Sequence, residues 1–156
     1  MFKSVNEVDK FRYDDCVITG VEIGDDFLHL KTEALIVKAN NSQNSNYTDS
    51  YASETTISFT GATPVKAIKI GYKKYDANDK LIEAVEDKEI DLATADFRKL
   101  FKDMYLNDLV KAGDSCSICV TGMDDDPTVV CDSYELYLDC DEVSMSWEKY
   151  LNKVQY

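Results

Sequence analysis

Cysteine is the residue type that most directly suggests chemistry in this chain. Cys116-Ser-Ile-Cys119 is followed by Cys131 and Cys140, and four thiolates at about 2.3 Å from a common centre would hold zinc. Zinc sites usually take their Cys-x-x-Cys from a tight turn, whereas SCSICV reads as a strand. Residues three apart on a strand point to opposite faces, so Cys116 is expected to face a core with Ile118 and Val120 while Cys119 faces away. The Cys131–Cys140 spacing is too wide for a second knuckle. A thioredoxin-like dithiol needs its first cysteine at a helix N-terminus, and no helix follows Cys119. Ordinary reduced thiols are therefore expected.

His29 is the single histidine. A nucleophilic triad or a metal site needs it beside a hydroxyl, thiol or carboxylate. Flanked by Leu28 and Leu30 on a strand, it is expected on an exposed face or as a satisfied interior group. Carboxylates cluster at Asp14-Asp15, Asp25-Asp26, Asp76 to Asp79, Asp124 to Asp126, and Asp139 with Asp141-Glu142. Paired carboxylates can cleave glycosides or hold divalent metals, but thirty acidic residues in 156 make chance pairs inevitable. The triple Asp before Pro127 is the best metal candidate and reads as a solvated turn. Asp76-Ala77-Asn78-Asp79 opens like a calcium loop, then fails: Leu81 stands where glycine is needed and Asp87 where glutamate is needed. No phosphate-binding glycine loop, nucleophile elbow or HExxH motif is present. No catalytic residue, metal or cofactor is expected.

Composition narrows the classes further. A chain of 156 residues suits one domain spanning residues 1–156, and its apolar content of 44% is too high for a disordered protein. There is no apolar run of the roughly 18 residues that a membrane span needs. The opening MFKSVNEVDKFRYDD lacks the apolar core of a signal peptide, and with an odd number of cysteines this points to the cytoplasm. The net charge of −13 argues against nucleic-acid and anionic-membrane partners and permits a basic protein partner.

The elements that must position these residues are mostly strands. The stretch Tyr134 to Lys149 is the clearest. Leu136, Leu138 and Cys140, then Val143, Met145 and Trp147, alternate with polar residues, as in a half-buried antiparallel hairpin with a two- or four-residue loop about Asp141-Glu142, both of which keep the apolar residues on one side. Cys16 to Ile23 and Phe27 to Lys31 form a first hairpin across Gly24-Asp25-Asp26, with Val17, Thr19, Val21 and Ile23 on one face and Ile18 opposite. Asn40 to Ser50 is expected to be a mobile polar loop. Thr55 to Thr60, Val65 to Tyr75 and Leu81 to Glu86 are further strands, the last two joined by a turn at Asp76 to Lys80.

The periodicity predicts one principal helix near residues 94–112, with Thr94 as N-cap and Gly113 as its C-terminal stop. Phe97, Leu100, Phe101 and Met104 follow helical spacing. Leu106 and Val110 fall on the opposite side of the wheel. Either the helix is buried on two sides, or it breaks near Tyr105-Leu106-Asn107 and a second short turn follows.

The expected fold is α+β: mainly an antiparallel β-sheet, curved or barrel-like, with that helix packed over it. The expected function is a small acidic cytoplasmic domain, non-enzymatic, that binds a basic protein. Small immunity proteins that neutralise basic toxins are an analogy of composition. Tyr137 stands among Glu135, Asp139, Ser146 and Glu148 on the polar face of the last hairpin, and these five are the candidate partner-binding residues. The alternatives are a carboxylate-based enzyme or small-ligand β domain, and an accessory or assembly protein pairing through a sheet edge.

Overall fold

A computed structural model describes residues 1–124, 126 and 129–155. Strands dominate it, as the period-two alternation requires. In chain order they are β1 (Phe2–Val5), β2 (Phe11–Arg12), β3 (Val17–Ile23), β4 (Phe27–Glu33), β5 (Ile36–Val37), β6 (Ser50–Ala52), β7 (Thr55–Thr60), β8 (Thr63–Lys69), β9 (Tyr72–Tyr75), β10 (Leu81–Val85), β11 (Lys88–Ile90), β12 (Tyr105–Ala112), β13 (Ser115–Thr121), β14 (Ser133–Asp139), β15 (Glu142–Trp147) and β16 (Tyr150–Lys153). A short helix, α1 (Phe97–Phe101), precedes β12, and no helix among the described residues is long and apolar enough to cross a membrane.

Ten strands join one antiparallel sheet in the order β1-β15-β7-β4-β3-β12-β13-β14-β8-β11. The sheet does not close into a barrel. It folds over instead, and inward side chains of both ends share one core: Ile57, Phe59, Met145 and Trp147 from one half, Ile118, Val120, Leu136 and Leu138 from the other. The halves join through β3 and β12, which pair only at Tyr105 and Val17.

They also join through a corner. The ladder of β15 on β7 starts at Glu142↔Thr60, and that of β14 on β8 ends at Asp139↔Thr63, in the same register. β7–β8 and β14–β15 are thus two long strands forming one ribbon, bent at Gly61-Ala62 and Cys140-Asp141. The expected hairpin over 134–149 is corrected here. Both strands bury the predicted residues, but β14 pairs with β13 and β8 whereas β15 pairs with β1 and β7. A two-residue hairpin turn requires positive φ, and neither Asp141 nor Glu142 adopts it. The positive φ lies across the ribbon, at Gly61 (+66°). Asp141 N–H donates to the Thr60 carbonyl at 2.9 Å, closing the corner.

The helix over 94–112 is corrected too. α1 ends at Phe101, is capped by Asp96 rather than Thr94, and buries Phe97 and Phe101. Residues 105–112 are strand β12. A β-bulge at Asn107 shifts the register between Leu106 and Asp108, so Leu106 and Leu109, three apart, both face the core. A bulge places one extra residue opposite a single partner, and here it imitates helical spacing. A second bulge, at Thr19, breaks the predicted division of β3 and brings Ile18 onto the face of Val21 and Ile23. Ile18 is the fully buried residue, and beyond the bulge Val21 and Ile23 pack on the same core.

A smaller sheet, β16-β6-β5-β2, covers the end of the core where Trp147 lies. The indole stacks on Phe2 at 5.6 Å and meets Phe11 and Tyr150 edge-on at 5.9 Å each. Truncating a buried indole to alanine costs about 3–5 kcal/mol. The loop after β5, expected to be mobile, is tied down. Asn41 is buried, and Asn44 Nδ2 reaches the carbonyls of Val37, Lys38 and Thr48. The Glu7 carboxylate accepts from Ser42 and Ser4. Burial alone would raise the Glu7 pKa, but the Ser42 and Ser4 hydrogen bonds, with Lys10 at 3.5 Å, hold it below the usual value.

Two outcomes follow. A Cβ at Gly61 would lie 2.3 Å from Asp141 Oδ2, whereas one at Gly113, also at positive φ, would meet nothing within 4 Å. Gly61→Ala and Gly113→Ala should nevertheless each destabilise by about 1 kcal/mol in urea unfolding, because the exposed Asp141 side chain can rotate away from the new methyl; a much larger loss at Gly61 would show that Asp141 is held in place. A lowered carboxyl pKa stabilises the fold above the unfolded-state value and loses that effect as pH falls. The stability gap between wild type and Glu7→Gln should therefore shrink as pH drops below about 4.3. A gap that widens on acidification would contradict the hydrogen-bonded carboxylate.

Candidate functional site

The outward face of β12, β13, β14, β8 and β11 forms an open platform, and the register fixes its rows. The middle row runs Val110, Ser117, Tyr137, Lys66, each directly opposite the next. One neighbouring row runs Asp108, Cys119, Glu135, Ile68, Glu89, and the other Ala112, Ser115, Asp139, Thr63. Val110 is 48% exposed and Tyr137 38%, and the bulged Val65 beside Lys66 is 55% exposed. An aromatic and two valines thus sit centrally, with carboxylates at Asp108, Glu135, Asp139 and Glu89 around them and one cation, Lys66, within the middle row.

The carboxylates are felt electrostatically. Tyr137 Oη donates to Glu135 Oε2 at 2.5 Å, and this bond, with the Glu135 charge, raises the phenol pKa. Burial raises the Cys119 thiol, and the Glu135 and Asp108 charges push it further up. Neutral forms are favoured beside negative charge, so a cation brought to this face meets the opposite preference.

Of the five residues expected to bind a partner, Glu135, Tyr137 and Asp139 share this platform. Ser146 lies in the other half of the sheet, between Thr56 of β7 and Lys3 of β1, and Glu148 is exposed just beyond β15. The corner in the ribbon separates the two groups. Val110 and Lys66 were not singled out from sequence. The bulge at Asn107 concealed Val110 within a helical pattern, and Lys66 lies beside a bulge at Val65.

The four C-terminal cysteines do not form a quartet. Cys116 and Cys140 are buried side by side, and Cys119 faces outward as expected. Burial pushes the Cys116 thiol up to about 12. Among the described residues, no three of His, Cys, Asp and Glu are placed to hold a metal ion. Asp125 of the acidic triple lies outside the described residues. His29 packs on Phe27 with ring centres 4.7 Å apart, and its Nδ1 lies 4.0 Å from Glu22. Several loop carboxylates serve the fold: Asp76 Oδ1 accepts from Asn78 and Lys80, and Asp15 from the Tyr51 hydroxyl. A cleft of about 670 Å³ places Asp9 and Asp108 beside Lys38 and Lys111.

Removing the Glu135 charge should return Tyr137 towards the ordinary tyrosine pKa of about 10. Glu135→Gln is therefore expected to lower its titration midpoint, read by NMR of the tyrosine Cζ resonances. An unmoved midpoint would mean that the two side chains do not engage. No family model matches this chain, and comparison with curated proteins and with solved structures also gave no match.

Proposed function

We propose that this chain is a non-enzymatic protein-binding domain whose platform around Tyr137 receives a basic protein partner. The observation that carries the reading is the row Val110–Ser117–Tyr137–Lys66, with exposed apolar side chains ringed by Asp108, Glu135, Asp139 and Glu89. Interfaces draw their energy from a few central aromatic anchors and their encounter rate from surrounding charge. The net charge of −13 adds long-range attraction for a cationic surface and repels nucleic acids and anionic membranes. The analogy is with small cytoplasmic immunity proteins that neutralise basic toxins. Ser146 and Glu148 fall outside this footprint.

The test is capture from a lysate at low salt, followed by direct binding measurements with the recovered partner. Tyr137→Ala should weaken binding roughly 30-fold, the effect of losing a central anchor of about 2 kcal/mol, with the unfolding midpoint unchanged because the residue is off the core. Asp139→Asn should chiefly slow association, and raised salt should weaken the complex progressively. Affinity indifferent to both Tyr137→Ala and salt would refute the proposed face.

A further inference from the structure

β8 and β11 pair from Lys69↔Lys88 to Ala67↔Ile90, and β9 and β10 continue the same register from Tyr72↔Val85. One long hairpin is thus divided in two. The division falls at Gly71, whose added Cβ would lie 2.1 Å from the Val85 carbonyl and whose N–H donates to Asp87 Oδ1 at 2.6 Å. Beyond it the outer part stands clear of the body as an arm. Every residue of β10 and three of the four in β9 are exposed.

The arm's composition does not suit a solvated spur. Tyr75 opposite Leu81 and Lys73 opposite Ala84 make one face; Tyr72 opposite Val85 and Lys74 opposite Glu83 make the other. Tyr75 is 52% exposed, Leu81 47%, Val85 44% and the bulged Ile82 56%. A two-stranded hairpin alone is marginal in water, and here four large apolar side chains stay about half exposed.

Charge indicates what covers it. Between Tyr72 and Val85 three lysines (73, 74, 80) balance three carboxylates (Asp76, Asp79, Glu83), so the arm is neutral and the remainder carries the whole −13. Two copies of this chain repel each other over their bodies. The neutral, apolar arm is where they can meet without that repulsion.

We propose that the arm is a self-association element, two copies packing arm against arm about a two-fold axis and covering Tyr75, Leu81 and Ile82 of each. A two-fold contact uses the same patch twice and closes at the dimer. The bulge at Ile82 interrupts the free edge of β10, and bulges oppose edge-to-edge strand pairing, so the arms pack face on face rather than extending the sheet.

Sedimentation velocity from low to high micromolar concentration tests this. The wild type should pass from one chain to two. The double variant Leu81→Asp/Ile82→Asp should weaken association on the order of 100-fold or more, with an unchanged unfolding midpoint because the arm lies off the core. Tyr137→Ala should leave the dimer intact. Added salt should maintain or tighten the dimer by screening the repulsion between copies, the reverse of its expected effect on a basic partner. That opposite sign separates failure here from failure of the Tyr137 reading. A single-chain mass at every concentration, equal association by the double variant, loss of the dimer in Tyr137→Ala, or open-ended growth would each overturn the proposal.

Discussion

The bend in the central ribbon is the constraint on which the rest depends. If β14 and β15 formed a flat hairpin, their six apolar residues would line one surface and need a separate layer to cover it. The corner at Gly61 and Asp141 instead turns the ribbon over, so that Leu136 and Leu138 of one half and Met145 and Trp147 of the other enter a single core. The corner has little freedom. Gly61 occupies a left-handed conformation that other residues adopt at a cost, and the Asp141 side chain fills the space where a Cβ would stand. Buried Ala62 and Cys140 bring the two strands round on the inside of the turn.

Period two was readable wherever a strand ran straight. The alternation in β13, β14 and β15 named Cys116, Ile118, Val120, Leu136, Leu138, Met145 and Trp147 as inward, and all are buried. Pairing was not readable, because alternation fixes which face of a strand is apolar and not which neighbour it meets. Asp141-Glu142 looked like a turn by polarity alone. The more telling signal was negative: no glycine stands at 141 or 142, and the pairs that a two-residue hairpin turn favours all contain one. The helical reading of 105–112 failed for a different reason, since an i, i+3 apolar spacing is produced equally by a helix and by a bulged strand.

The platform and the arm are opposite answers to an acidic surface. On the platform, carboxylates surround a small apolar centre, which favours a partner of opposite charge. On the arm, charges cancel and apolar groups dominate, which favours a partner carrying the same large net charge. Both belong to the half of the sheet that ends in β8 and β11, and Gly71 separates them. A chain with thirty carboxylates against seventeen cations can form a neutral patch only where its few lysines gather, and the stretch from Gly61 to Tyr75 holds four lysines and no acid.

Bulges decide what these surfaces present. With a regular β12, Leu106, Asp108 and Val110 would all face the core, which would bury an unpaired carboxylate at a cost of several kcal/mol. The extra residue at Asn107 hands the inward place to Leu109 and turns Asp108 and Val110 outward, opposite Cys119 and Ser117. Val65 acts likewise in β8, keeping Ala67 inward while Lys66 comes opposite Tyr137. The residues that give the platform its character are therefore outward because two strands each carry one residue more than their partners. A sequence pattern read at strict period two conceals that surface, which becomes visible only when the ladder shows where the period slips.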